Sequence, residues 1–481
     1  MSYLGIDLGT SALKAVVLGE DGEVLAVSSA PLDLRHPHPQ WSEQDPEAWW
    51  SACVAAIGAL DDAVRARITG IGLTGQMHGT VLLDKNHAVL RPAILWNDVR
   101  SHAYTAALEP LAVQHAGNLA LAGFSAPKLL WLREHEPEVF DRIGHILLPK
   151  DYLRFRLTED FATDMADASG TLWLDPEERA WSAPLIAFCG LDEAMLPRLY
   201  EGTRITGMLS ARAAEELSLP VVPVAAGEGD QAAGAVGVGA LEDGDAFLSL
   251  GTSGVVFAAT DIFRLNPNRA VHAFCHAVPD RWHVMSVMMG TGASIAWFAR
   301  LGGFDNAAAA VTAGLSAHDE RNAPVFLPYL TGERTPHNDP EATGAFTGLT
   351  LSHGPEHLMG AVLEGVAFAL ADGVDALRLP DAPMMVTVGG TRSDGWMQFP
   401  ADVLGRTLLI GKAADVGPAT GAARLAAMAV SSGEPPGWCS AKPPTERAFE
   451  PQRDRSIRRE TFKKLYPAIR QVSRSPRKDV T

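Results

Sequence analysis

The tetrapeptide Leu-Gly-Thr-Ser occurs twice in this chain, each time closing a short apolar run: Ile6-Asp7-Leu8-Gly9-Thr10-Ser11 and Leu248-Ser249-Leu250-Gly251-Thr252-Ser253. Each copy continues into a second apolar run, Leu13 to Leu18 and Val255 to Ala258. A repeated strand-turn-strand unit restricts the chain to folds built from two related halves. A Gly-Thr-Ser turn offers backbone N–H groups and hydroxyls without bulk, which suits phosphate oxygens. Two such turns on one cleft would grip a nucleotide from both sides.

With 481 residues, 47% of them hydrophobic, the chain is long enough for two domains or more. The net charge of −17 repels phosphate polymers and argues against nonspecific nucleic-acid or anionic-membrane binding. Cys53, Cys189, Cys275 and Cys439 show no Cys-x-x-Cys spacing, so reduced, buried thiols are expected. The first residues lack a basic stretch followed by an apolar core, and no uninterrupted run reaches the ~18 apolar residues of a membrane span. A cytoplasmic protein without an anchor is the expectation.

From Tyr3 to Val27 the pattern predicts an antiparallel meander with an Asp21-Gly22 turn. Asp45-Pro46-Glu47 opens a helix running to Leu60, and Ile68 to Leu73 returns to strand, so an α/β layer follows. Pro223 to Gly227 reads as strand and Gln231 to Gly239 as an Ala-rich helix or turn. The second meander begins near Ala246, placing a junction at about residue 240 and halves at 1–240 and 241–481. Glu356 to Leu377 and Pro418 to Ser431 read as helices, Met384 to Gly389 as a strand, and the basic stretch from Arg470 as a solvated, frayed end.

Asp7 precedes the first turn, where a carboxylate could orient hydrated Mg²⁺ beside phosphates; alone, an Asp here is an ordinary turn residue. The second copy carries Ser249 at the same place, so one half supplies the acid. Asp230 follows Gly227-Glu228-Gly229 and either accepts a proton from an attacking hydroxyl or caps the helix after it. Gly75-Gln76-Met77-His78-Gly79 and Trp96-Asn97-Asp98 have the mix of amide, imidazole, carboxylate and aromatic groups expected of a polyol site. His78 alone would be read as structural. Gly389-Gly390-Thr391 and the Gly417 to Ala423 stretch suit an adenosine, or equally a turn and a close helix contact. Gly70-Ile71-Gly72-Leu73-Thr74-Gly75 fits G-x-G-x-x-G but leads to another apolar run, Val81 to Leu83, where a dinucleotide site needs a helix, so it is rejected. No P-loop and no H-E-x-x-H occurs.

Together these features resemble the FGGY carbohydrate kinases, of the actin-like, ribonuclease H-like ATPase superfamily. Gly123-Phe-Ser-Ala-Pro-Lys128-Leu-Leu-Trp131-Leu-Arg-Glu-His135 is similar to one family signature, and Gly344-Ala-Phe-Thr-Gly348-Leu349 continuing to His357-Leu-Met-Gly-Ala-Val-Leu-Glu364 to the other. Arg35 to Pro46, Gln76 to Gly79, Ile94 to Asp98, Leu148 to Leu153 and Tyr329 to Pro336 most resemble members acting on D-xylulose. The resemblance implies two actin-like domains flanking a central cleft, ATP and Mg²⁺ as cofactors, and phosphoryl transfer to the C5 hydroxyl of that ketose. It implies ketose contacts from Met77 and His78 with Trp96 and Asp98 nearby, Asp230 as catalytic base, and Asp7 organising Mg²⁺. Gly9, Thr10, Ser11, Lys14, Gly251, Thr252, Ser253, Gly389, Gly390 and Thr391 form the implied nucleotide set.

A homodimer is compatible with the resemblance. Rival readings are an FGGY kinase for ribulose or a related polyol, an actin- or chaperone-like nucleotide switch, and a degenerate sugar-binding protein. Three positions depart from the family pattern. Glu228 replaces a usual glycine and is expected to raise the Asp230 pKa by like-charge repulsion. Thr391-Arg392 replaces a Gly-Ala-like continuation, and Pro400 falls in an expected helix, where it would remove a hydrogen bond.

Overall fold

In the first strand, Ser2–Leu8, almost every residue is buried, because the sheet it joins is covered on both faces. Leu4, Ile6 and Leu8 pack with Leu13, Ala15 and Val17 against Trp49, Cys53 and Ile57 of the helix Pro46–Gly58. Tyr3, Val16 and Leu18 point the other way, onto Ala419, Ala423 and Ala426 of the helix Gly417–Val430. The computed structural model describes residues 1–387, 393–412 and 417–473.

Among the described residues are two seven-stranded sheets. In the first, Ser2–Leu8, Ala12–Gly19 and Val24–Pro31 form the expected antiparallel meander, and Ile68–Gly75 runs parallel to the first strand. In the second, Ala246–Leu250 and Gly254–Thr260 form the hairpin, and Met384–Thr387 runs parallel to its first strand. The duplicated turns therefore occupy equivalent places in two α/β units. A shared apolar cluster joins the units, with Phe124 and Trp173 from the first and Phe257 and Phe274 from the second.

Two helices cross from one unit to the other. Asp230–Val238 follows the last strands of the first unit, yet Ala235 and Val238 pack with Phe247, Met285 and Met385 of the second sheet. Gly417–Val430 comes late in the chain and lies on the first sheet. Glycine permits that approach: a Cβ on Gly5 would stand 2.0 Å from the Ala419 carbonyl oxygen, and one on Gly72 1.9 Å from that of Ala422. The two helices touch where a Cβ on Gly421 would meet the Ala233 oxygen at 1.9 Å. The rejected G-x-G-x-x-G glycines lie within the strand Ile68–Gly75, and Gly72 serves helix packing.

Asp45 caps the Pro46 helix by accepting from the Glu47 N–H. The helix Asp394–Leu404 forms with Pro400 buried inside it. Of the basic stretch, Arg470 lies on the helix Ser456–Ser473, with its Nε 3.6 Å from Asp339, and residues 474–481 lie outside the described residues. The helix Pro355–Leu377 is long and apolar enough to cross a membrane by length and composition, but it forms the core of the second unit. Its Glu364 is clamped by Arg455 at 3.1 Å and Arg458 at 2.5 Å. All four cysteines are reduced and buried.

Candidate active site

Both Gly-Thr-Ser turns open where a strand pair ends. Gly9 N–H donates to the Ala12 carbonyl and Gly251 N–H to that of Ser253, so each turn is closed by its own backbone. The second turn abuts a helix start: Gly292 N–H donates to the Gly251 oxygen at 3.1 Å and Ala293 N–H to that of Thr252 at 3.0 Å. This helix, Gly292–Leu301, brings the positive end of its dipole to the turn, an arrangement suited to an anion. Sequence reasoning missed Gly290-Thr291-Gly292-Ala293. The signal was present as a Gly-Thr-Gly step between a strand and a helix.

The Thr10 hydroxyl donates to Gln76 Oε1 at 3.1 Å and accepts from Trp96 Nε1 at 3.0 Å, so it is engaged in the protein network. Lys14 stands opposite Asp7 in the strand register, and its charge favours the Asp7 carboxylate. Gly389, Gly390 and Thr391 lie outside the described residues.

Asp7 and Asp230 retain partial exposure, and the charge of Asp230 acts on Asp7. Burial pushes Asp7 up to about 7, helped by Asp230 and opposed by Lys14. Burial pushes Asp230 up to about 6, opposed by hydrogen bonds from Gln231. Glu228 is not the cause. It is wholly buried, and burial raises its own pKa well above the carboxylate range, so it carries no charge with which to repel Asp230. Asp230 begins its helix, and the cap position falls to Gly229. The Asp230 carboxyl still accepts from the Gln231 backbone N–H in the first turn.

The ketose loop meets this helix start directly. Gly229 pairs with Gly75, and a Cβ on Gly229 would lie 2.8 Å from Met77 Cγ. His78 has φ 65°, and its carbonyl accepts from Lys128 Nζ at 2.8 Å and Ser125 Oγ at 3.1 Å. Its Nδ1 donates to the Gly170 carbonyl at 2.8 Å, which fixes the neutral tautomer and leaves Nε2 as an acceptor. Burial drives the His78 pKa down to about 3, with Lys128 and Arg334 adding to the effect. Arg334, from the second unit, thus stands close to this loop. Its nearness to His78 was not visible in sequence.

Trp96 is exposed beside Thr10. Asp98 departs from its expected role. It has no exposed surface, and its carboxylate accepts from Ser42 N–H at 2.7 Å and from the Arg100 guanidinium at 2.7 and 2.9 Å, so it braces the loop and offers nothing to a ligand.

Among the described residues no cluster of three or more His, Cys, Asp or Glu is arranged to hold a metal. Mg²⁺ needs only one or two carboxylates when phosphates and waters complete its shell, and the part-exposed, electrostatically crowded Asp7 fits that requirement.

Residues 2–237 match the N-terminal domain of the FGGY family of carbohydrate kinases, and residues 246–430 match its C-terminal domain. The xylulose kinase of Escherichia coli K12 is 49% identical over 479 residues, covering 97% of this chain and 99% of that protein. The Bacillus subtilis xylulose kinase is 37% identical over 89% of this chain and 88% of its own. The crystal structure of a xyloylose kinase from Brucella ovis superposes with a TM-score of 0.91 at 42% identity, covering 98% of both chains. With both domains matched in order and likeness running almost end to end, the chain belongs to the FGGY family of carbohydrate kinases.

Proposed function

We propose that this protein transfers the γ-phosphoryl group of ATP to the C5 hydroxyl of D-xylulose, giving D-xylulose 5-phosphate and ADP. The observation that carries this reading is the 49% identity to the Escherichia coli xylulose kinase over nearly the whole chain. The geometry supports it: the Met77–His78 loop packs on the start of the Asp230 helix, and Asp7 lies within electrostatic reach of Asp230.

A primary alcohol is a poor nucleophile until its proton has somewhere to go, and Asp230 is the group assigned to accept it. With its pKa held at about 6, Asp230 is mostly ionised at neutral pH yet basic enough to take a proton. His78 Nε2, held neutral, accepts from a ketose hydroxyl, and the flank of Met77 bounds the sugar's apolar face. Backbone N–H groups of the two turns other than those of Gly9 and Gly251, which close the turns, hold phosphate oxygens, aided by the dipole of the Gly292 helix. Asp7 would hold Mg²⁺, which when bound neutralises charge on the transferring phosphates. Alignment between the two units supplies much of the rate, as in phosphoryl transfer generally. The same reading divides the chain near residue 240 and places the enzyme in the cytoplasm.

Coupled ADP-release assays with D-xylulose, D-ribulose, glycerol and gluconate test it. D-xylulose should give the highest kcat/KM, and equal or better turnover of another acceptor overturns the specificity. Asp230→Asn should lower kcat by about 10²- to 10⁴-fold, the usual worth of a positioned base. Full activity in that variant removes the assigned mechanism.

A further inference from the structure

The turn assigned to phosphate and the loop assigned to ketose are tied by one continuous hydrogen-bond chain. Trp96 Nε1 donates to Thr10 Oγ1 at 3.0 Å, and Thr10 Oγ1 donates to Gln76 Oε1 at 3.1 Å. Gln76 Nε2 donates to Gln44 Oε1 at 2.9 Å. Gln44 closes the loop by donating to the Thr10 carbonyl at 2.7 Å and to the Asp33 carbonyl at 3.1 Å, while Trp49 Nε1 reaches Gln44 Oε1 at 3.1 Å.

Gln44 and Gln76 are each 2% exposed, and all four hydrogen-bonding positions of the Gln44 amide are used. A buried amide so completely satisfied has one orientation, and it fixes its partners. Gln76 is the residue before Met77, and its backbone N–H donates to the Leu8 carbonyl at 2.8 Å, so it joins the end of the Asp7 strand to the ketose loop.

We infer that Gln76, oriented by Gln44, is a positioning residue that sets the spacing between phosphate turn and ketose loop, acting through the Thr10 hydroxyl. The inference rests on the function proposed above. Neither glutamine needs to touch either substrate. Their effect is on alignment: ATP and ketose still bind when the chain is cut, but the hydroxyl and the γ-phosphorus no longer meet in line, and water competes better for the phosphoryl group.

The test uses the full chain with Thr10→Val, Thr10→Ser, Gln76→Leu and the Thr10→Val/Gln76→Leu double variant. Thr10→Val and Gln76→Leu should each lower kcat by about tenfold or more while KM for acceptor and ATP moves less than about threefold, because misplacement affects the reacting geometry before it affects binding. The ratio of acceptor-independent to acceptor-dependent ADP release should rise in both. Thr10→Ser, which keeps the hydroxyl, should regain most of the turnover lost in Thr10→Val. The double variant should be no slower than the slower single, since both cut the same link.

Independent losses that multiply in the double variant, a Thr10→Ser as slow as Thr10→Val, or an effect confined to KM overturn the inference. If Gln76→Leu does not fold, the Thr10 pair decides alone. The parent's turnover of D-xylulose tests the function separately. The variants are compared on whichever acceptor the parent phosphorylates.

Discussion

Replacing Glu228 by glutamine should make the protein progressively more stable than its parent as the pH rises. Glu228 sits on the short strand Glu228–Gly229, has no exposed surface, and neither carboxyl oxygen has a hydrogen-bond partner. The nearest cation, Lys150, is committed elsewhere: its Nζ lies 2.5 Å from Asp151, 2.8 Å from Asp164 and 3.9 Å from Asp167, all buried. One ammonium cannot balance four buried carboxyls, so Glu228 stays protonated, its pKa raised by burial first and by Asp164 second.

In the unfolded chain the same carboxyl ionises near pH 4.3, about the ordinary value. A raised folded pKa means that folding binds a proton, so the contribution of Glu228 is fully present below the unfolded pKa and is lost as pH climbs toward the folded one. Each pH unit in that window costs about 1.4 kcal/mol. Glu228→Gln has no such proton to hold. Its amide leaves buried donors unpaired, a pH-independent cost of about 1–3 kcal/mol, so the offset between the two proteins is not diagnostic. The slope is: above the unfolded pKa the variant should gain on the parent by about 1.4 kcal/mol per pH unit until the folded pKa of Glu228 is reached. Urea midpoints at closely spaced pH values, converted with a common slope, read the difference. Parallel curves would show that Glu228 is ionised in the fold and refute the charge accounting around Lys150.

Other outcomes follow from the same geometry. The kcat/KM for the ketose should fall as pH drops through about 6, because the Asp230 base is lost on protonation, which a steady-state profile measures. Lys128→Met removes a buried donor from the His78 carbonyl and should raise KM for the ketose by about tenfold, roughly one lost hydrogen bond to a charged group, with KM for ATP unchanged. Gly72→Ala places a methyl 1.9 Å from the Ala422 oxygen, where backbone must move, and should cost about 3 kcal/mol or more, read as a lowered thermal midpoint.

What sequence conveyed best was local. The hairpin at Gly9, its repeat at Gly251 and the Pro46 helix depend on residues within a few positions of one another, and all form as read. Asp230 stood out because small residues surround it on both sides. Contacts between distant segments were not legible. Nothing near Gly251 announces that Gly292 will donate to it, and nothing near His78 announces Lys128 beneath its carbonyl, 50 residues on. Apolar periodicity tells which side of an element is buried but not what covers it. For the same reason Trp96-Asn97-Asp98 read as one polar cluster, although Arg100 claims Asp98 and leaves Trp96 at the surface. The Glu228 expectation erred on electrostatics: burial removed the charge whose repulsion was anticipated.

The exchanged helices make each half a guest in the other's interior. A fragment ending at residue 240 would lose the Gly417 helix, baring Tyr3, Val16 and Leu18 on a strip of sheet whose glycines exist to seat that helix. The complementary fragment would lose the helix that buries Phe247. Neither piece is a self-sufficient folding unit, although the sequence repeat invites cutting there. The two units are interdependent through these crossings, and split or permuted versions must keep both paired.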